Sequence, residues 1–162
     1  MSFKIEKAEL KDVPQILQLL RAFAEFENLT EFCQITAEKL QAVMFDECAF
    51  VKGLIAFDER NKAIGYALFF ENFASFRGQR GLYLEDLYVA PKFRGCGVGF
   101  AMLKRVAQIG RERGCERMDW QVLDWNAAAI EFYQKLGAEI DRSERHCKIV
   151  CGEFERLAVV EE

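Results

Sequence analysis

The sequence predicts a single mixed α/β domain in which helices cover a mixed sheet. Three observations predict it. β-rich runs alternate with stretches whose apolar residues recur at helical spacing. A mid-chain strand leads through a glycine-rich turn straight into a long helix. No repeat, low-complexity tract or linker divides residues 1–162. A chain of 162 residues can bury a sizeable core, and 51 % hydrophobic, 13 % aromatic and 30 % charged residues make a globular composition. The net charge of −4 argues against a nucleic-acid partner held by bulk positive charge; it fits cationic substrates without requiring them.

Phe3–Lys7 begins the chain as a short strand. Asp12 ahead of Val13–Pro14 signals a helix start, and Ile16, Leu17, Leu19, Leu20, Phe23 and Phe26 carry that helix to Phe26. Thr36, three residues before Lys39, places the N-cap of a second helix with Leu40, Val43, Met44 and Phe45 on its apolar side. Lys39 is not the Glu or Gln of a full capping box. Ala49–Phe57 and Ala63–Phe70 read as strands joined by a turn over 58–62, and Phe73–Gly81 as a loop. The next strand runs from Gly81 to Ala90 and ends at Pro91; a helix from Val98 to Arg113 closes at Gly114. Arg117–Leu123 is predicted as a strand and Asn126–Leu136 as a helix ended by Gly137. Ala138–Ile140 and His146–Val150 are predicted as closing strands, and Gly152–Val160 as a last helical turn or tail.

The six cysteines (Cys33, Cys48, Cys96, Cys115, Cys147, Cys151) show no metal-ligand spacing. Cys147 and Cys151 lie four apart without a matching pair, and His146 is the only histidine. No metal is expected, and the thiols read as free in a reducing cytoplasm. Met1–Lys7 is charged too early for a secretory leader, and no apolar run approaches the ~20 residues of a membrane span. The expectation is a cytoplasmic protein with no membrane and no nucleic-acid partner.

Tyr83–Leu84–Glu85–Asp86–Leu87–Tyr88–Val89 is the informative strand. Regular alternation puts Glu85 on one face with Tyr83, Leu87 and Val89, and Asp86 on the other with Leu84 and Tyr88. Either way one carboxylate lies among apolar groups, which is costly unless something pairs or uses it. Arg94–Gly95–Cys96–Gly97–Val98–Gly99 follows. Successive backbone N–H groups opening a helix there favour an anion, above all a pyrophosphate, and Arg94 adds a cation. The spacing is neither a dinucleotide fingerprint nor a Walker loop. By itself the turn reads equally as an ordinary strand-to-helix connection.

Arg94-x-x-Gly97-x-Gly99 at a strand end resembles the acyl-CoA pyrophosphate loop of the GCN5-related N-acetyltransferases. Asn126–Ala138 is similar to that family's later helix, with an asparagine at its start and Tyr133 before the closing Leu136–Gly137. The order of elements matches over essentially the whole chain. Within the family, Leu82–Val89, Asp124–Trp125–Asn126, Phe132–Tyr133 and Phe26–Glu27 most resemble the diamine (spermidine/spermine) acetyltransferases and their thialysine-acetylating relatives. The resemblance implies a central mixed, mostly antiparallel sheet flanked by helices on both faces. It implies acetyl-CoA as cosubstrate, a small-molecule primary amine as substrate, and a homodimer using Phe69–Phe76 and the late strands. It further implies Glu85 as a water-relayed base, Asp86 as a substrate-side carboxylate, Tyr133 as the acid near the CoA sulfur, and Glu27 near the amine pocket. Leu87, Tyr88, Val89, Arg94, Gly95, Cys96, Gly97, Val98, Gly99, Asn126, Tyr133 and Lys135 match cofactor-binding positions. Where the polyamine enzymes carry an Asp and a Trp ahead of the signature strand, this chain has Ser75 and Arg77. Losing an anion and gaining a cation there weakens selection for long polycations, so thialysine, lysine-like or other small amines become at least equal candidates.

An alkylamine, with a reference pKa of about 10.4, is protonated at neutral pH and needs a base before it can attack. Glu85, its acidity weakened by apolar neighbours, suits that role; it reads otherwise as a strand carboxylate paired with a base. Asp86 reads equally as structural, since adjacent carboxylates cannot both be the base. A backbone N–H of Leu87 or Tyr88, freed where the strand bulges, would stabilise the developing oxyanion. A leaving thiol near pKa ~8.5 lies below tyrosine near ~10, so Tyr133 would supply a positioned hydrogen bond more than a driving force. Its other reading is a core-facing aromatic beside Ile130. Asn126 reads also as a simple N-cap. No histidine stands near Cys96 to activate it, which disfavours an acyl-cysteine route, and His146 reads as structural. Two other functions stay open: a catalytically silent acyl-CoA-binding module, and acetylation of protein amino termini or lysines.

Overall fold

A computed structural model describes residues 2–159. The chain divides into one compact unit up to Gln121 and a second from Val122 on. In the first unit β1 (Phe3–Lys7), β2 (Lys52–Asp58), β3 (Ala63–Ala74), β4 (Gln79–Val89) and β5 (Arg117–Asp119) form one sheet in sequence order. The pairs from β1 to β4 are antiparallel, and β4–β5 is parallel.

α1 (Val13–Phe26) and α2 (Ala37–Phe45) cover one face. Ile16, Leu17 and Leu19 from α1 and Leu40 and Met44 from α2 pack with Tyr66, Leu68 and Tyr88 of the sheet. The helix starts follow the sequence. Pro14 lies in the first turn of α1, and Thr36 Oγ1 accepts the Lys39 N–H at 3.2 Å to cap α2. Asp12 is buried, yet its carboxylate accepts the Glu9 N–H at 2.9 Å and does not cap α1.

α3 (Val98–Glu112) covers the opposite face. A Cβ on Gly110 would meet Leu82 Cδ1 at 2.8 Å, and one on Gly65 would meet Met102 Sδ at 3.4 Å. The second unit carries α4 (Ala127–Lys135) and α5 (Gly152–Ala158). Asn126 caps α4, its Oδ1 accepting the Ala129 N–H at 3.2 Å. Among the described residues no helix is long and apolar enough to cross a membrane.

Several boundaries differ from expectation. β3 runs on to Ala74 and β4 starts at Gln79, so only a short 3₁₀ turn over Ser75–Arg77 remains of the predicted loop. Residues Phe73 and Phe76 are exposed there, so their aromatic character marks a surface hairpin. β2 begins at Lys52 and not at Ala49, and β5 stops at Asp119. The closing strands predicted at Ala138–Ile140 and His146–Val150 do not form. The charged stretch between them gives no alternating face, and Asp141 Oδ1 binds the Ser143 N–H at 2.7 Å and hydroxyl at 2.6 Å, a local turn that competes with extended pairing. The last segment is helical over Gly152–Ala158, while Val160, included in that expectation, lies outside the described residues.

Gly65 tests the sheet's closeness. A Cβ there would come within 2.8 Å of the Tyr88 carbonyl oxygen, a backbone atom that cannot swing away. Gly65→Ala should therefore lose about 1–3 kcal/mol despite a better strand propensity, read as a lower urea midpoint with an unchanged slope.

Candidate active site

The site begins with one unpaired residue. Leu68 pairs with Asp86 and Phe69 with Leu84, so Glu85 has no opposite number on β3. This β-bulge resets the alternation. Leu82 faces α3, whereas Tyr88 faces the α1/α2 core together with Leu68, which lies opposite Asp86. The expected grouping of Asp86 with Leu84 is thus broken: Asp86 shares its face with Tyr88 and with Tyr83, which lies opposite Phe70. Glu85 is exposed, whereas Asp86 is half-buried, and the desolvating surroundings expected of Glu85 fall on Asp86.

Asp86 is pushed up to about 6. Burial is the main cause, opposed by the hydrogen bond from Tyr66, and the negative charges of Glu85 and Glu27 raise it further. Tyr66 Oη donates to Asp86 Oδ2 at 3.0 Å, and Tyr66 is itself held well above the usual phenol range by burial and by the Asp86 charge. Glu27, at the C-cap of α1, is raised by burial. Two further carboxylates, Glu85 on β4 and Glu27 at the end of α1, therefore bear on Asp86 beside a buried phenol. Tyr66 escaped sequence reading because Ala63–Phe70 is a continuous apolar run in which a tyrosine looks like core.

The strand edge opens at the same place. β4 pairs with β5 only over Gly81–Tyr83. Ala90 N–H donates to Ile64 O at 2.9 Å, so the hydrogen-bonded pairs with β3 continue at Tyr88 and Asp86, and the backbone groups of Leu87 and Val89 point the other way. On that open side Arg94 Nε donates to Val89 O at 2.9 Å. The Arg94 guanidinium also stacks over the Phe26 ring, 4.2 Å from its centroid, and lies 5.6 Å from the Tyr88 ring.

The glycine turn follows. Gly95 and Gly97 have φ of +73° and +85°, left-handed angles that suit glycine, and Gly97 is the N-cap of α3. Its carbonyl accepts the Ala101 N–H, leaving the N–H groups of Val98, Gly99 and Phe100 free of intrahelical bonds. Cys96 is exposed, and its thiol lies 3.7 Å from the Arg94 carbonyl. This cradle fits a pyrophosphate, and the outward amides at Leu87 and Val89 fit the polar atoms of an acyl thioester.

In the second unit Tyr133 is buried on α4, its ring 5.2 Å from that of Phe132. Lys135 forms an ion pair with Glu131 at 2.5 Å. Ser75 and Arg77 are exposed. The six cysteines are unpaired, and among the described residues no cluster of three or more His, Cys, Asp or Glu could hold a metal.

The Acetyltransferase (GNAT) family matches residues 14–138. The chain belongs to the GNAT acetyltransferase family. It is 36 % identical to the thialysine N-epsilon-acetyltransferase of Bos taurus over 142 residues, covering 83 % of each chain. It is 35 % identical to the human spermidine/spermine N(1)-acetyltransferase-like protein 1 over 142 residues, 84 % of this chain and 20 % of that one. Among solved structures, an integron cassette protein from the mobile metagenome of V. cholerae shares the fold, with a TM-score of 0.81, 22 % identity and 99 % of both chains covered. The GNAT chain is thus an N-acetyltransferase that moves acetyl from acetyl-CoA to an amine.

An acid held at about 6 costs the fold stability as it ionises. Its folded pKa lies above the unfolded value of 3.8, so the native state binds the extra proton, and this contribution fades as pH rises through about 6. Asp86→Asn should accordingly be more stable than the native chain by up to about 3 kcal/mol at about pH 8, an advantage that shrinks toward about pH 4. Denaturation at the two pH values checks it.

Proposed function

We propose that this chain acetylates the primary amine of a small molecule, with Glu85 as the water-relayed base and Asp86 and Glu27 as the anions that receive the substrate's ammonium. The observation that carries this reading is the grouping of three carboxylates where β4 leaves β5 and turns its amides outward. A cationic amine is drawn to that group, and its proton has an acceptor within the same cluster. The glycine turn from Arg94 to Gly99 holds the pyrophosphate, and Leu87, Tyr88 and Val89 flank the acyl group. Bound there, acetyl-CoA supplies the activated acetyl thioester. The Leu87 N–H stabilises the negative charge that develops on the acyl oxygen. By family resemblance Tyr133 hydrogen-bonds the departing sulfur, and Asn126 and Lys135 contact the cofactor.

The names of the relatives and the Ser75/Arg77 departure together favour a thialysine-like amine over a long polyamine. A peptide substrate is the less favoured choice, since the relatives' names point to small amines. A cytoplasmic homodimer completes the reading; the exposed Phe73 and Phe76 at the β3–β4 hairpin supply an apolar surface for it. A second reading exchanges the carboxylates. Asp86, at about 6, is closer than an ordinary aspartate to the value a neutral-pH base needs, and on that reading it is the base.

Acetyl-CoA turnover against thialysine, lysine, polyamines, amino sugars and peptides tests the substrate class; thialysine-like amines should give the highest kcat/KM. Glu85→Gln should lower kcat by about 10²–10⁴ near neutral pH and recover in part in alkali, where free amine accumulates. An unchanged rate with a flat pH response removes Glu85 as base, and a kcat loss confined to Asp86→Asn assigns that role to Asp86.

A further inference from the structure

Tyr66 sits in the middle of β3 at 0 % exposure, the largest of the fully buried side chains. A phenol is buried cheaply only when its hydroxyl finds a partner. The partner here is an acid of the proposed site: Tyr66 pairs with Tyr88 across the β3–β4 ladder, and its hydroxyl reaches diagonally to Asp86 Oδ2 at 3.0 Å. The other oxygen, Oδ1, has no hydrogen bond among the described residues, and it is not sealed from solvent. The titratable groups facing Asp86 are Tyr66 from β3, Glu85 from β4 and Glu27 from the end of α1, with Tyr88 alongside Tyr66. Both charges among them repel a carboxylate, so among the described residues it is the Tyr66 hydroxyl that favours its anionic form.

We propose that Tyr66 is a positioning residue, whose hydroxyl fixes Oδ2 of Asp86 so that Oδ1 meets the ammonium of the incoming amine and the carboxylate stays anionic at working pH. This rests on the amine-acetyltransferase reading above. Without that donor, Asp86 is left among repelling charges and takes up a proton more readily, and a neutral Asp86 no longer attracts a cation. The effect therefore falls on amine capture and grows as the medium becomes more acid.

Tyr66→Phe keeps the ring and most of its volume. In this variant the acid limb of kcat/KM for the amine should move up by roughly one pH unit. The deficit should be roughly five-fold near pH 6, close above about pH 8, and appear in the KM for amine with that for acetyl-CoA unchanged. The ¹³C titration midpoint of the Asp86 carboxyl carbon, read without substrate, should move up with it. Placed on Asp86→Asn, Tyr66→Phe should change nothing further. An unmoved midpoint, or a loss equal at every pH, overturns the proposal whatever the activity. A moved midpoint in a protein that acetylates no amine overturns the functional reading, and the ammonium contact with it.

Discussion

The bulge at Glu85 is the constraint on which the rest of the site depends. One residue without a partner on β3 turns Asp86 toward α1 and α2, leaves Glu85 in solvent, and sends Leu82 and Leu84 beneath α3. Two neighbouring carboxylates thereby receive opposite surroundings from a single backbone irregularity. The parallel pairing with β5 ends at Tyr83, two residues before the bulge, so the strand that carries the acids also frees its outer amides. A half-buried acid, an exposed acid and outward amides follow from one short stretch of backbone.

That arrangement is expensive for the fold. Asp86 gains a hydrogen bond from Tyr66 but lies near two other anions, and burial adds to the cost of its charge. The sheet around it is tight enough to carry the strain: Tyr66, Leu68, Ile16 and Leu40 are almost wholly removed from solvent, and Gly65 lets β3 approach the Tyr88 carbonyl. A site that disfavours its own anion is suited to attracting a cation, because an arriving ammonium relieves the repulsion among Glu27, Glu85 and Asp86.

Much of this was legible in the sequence where local chemistry decides structure. α1 ends at Phe26 as its apolar spacing requires, Thr36 and Asn126 cap their helices, and Gly97 opens α3. Long-range pairing was less legible. The bulge arises from register between β3 and β4, which strict alternation along one strand cannot reveal. Tyr66 was hidden for the same reason, since its role depends on a neighbour twenty residues away. The failed strands near the C-terminal end show the converse: short β-rich runs without a pairing partner remain irregular, whatever their composition. The family resemblance reached Glu27, Glu85 and Asp86, and the geometry added that Glu85 is the exposed one and Asp86 the one hydrogen-bonded to Tyr66.

Arg94 carries a last consequence. Its Nε is committed to the Val89 carbonyl and its plane to the Phe26 ring, so one side chain rivets the loop ahead of α3 to the final turn of α1. A lysine would keep the charge but has neither the fork for the carbonyl nor the flat surface for the ring. Substitution at position 94 is therefore restricted by shape as much as by charge, and the segment that opens α3 is bolted to the one that bears Glu27.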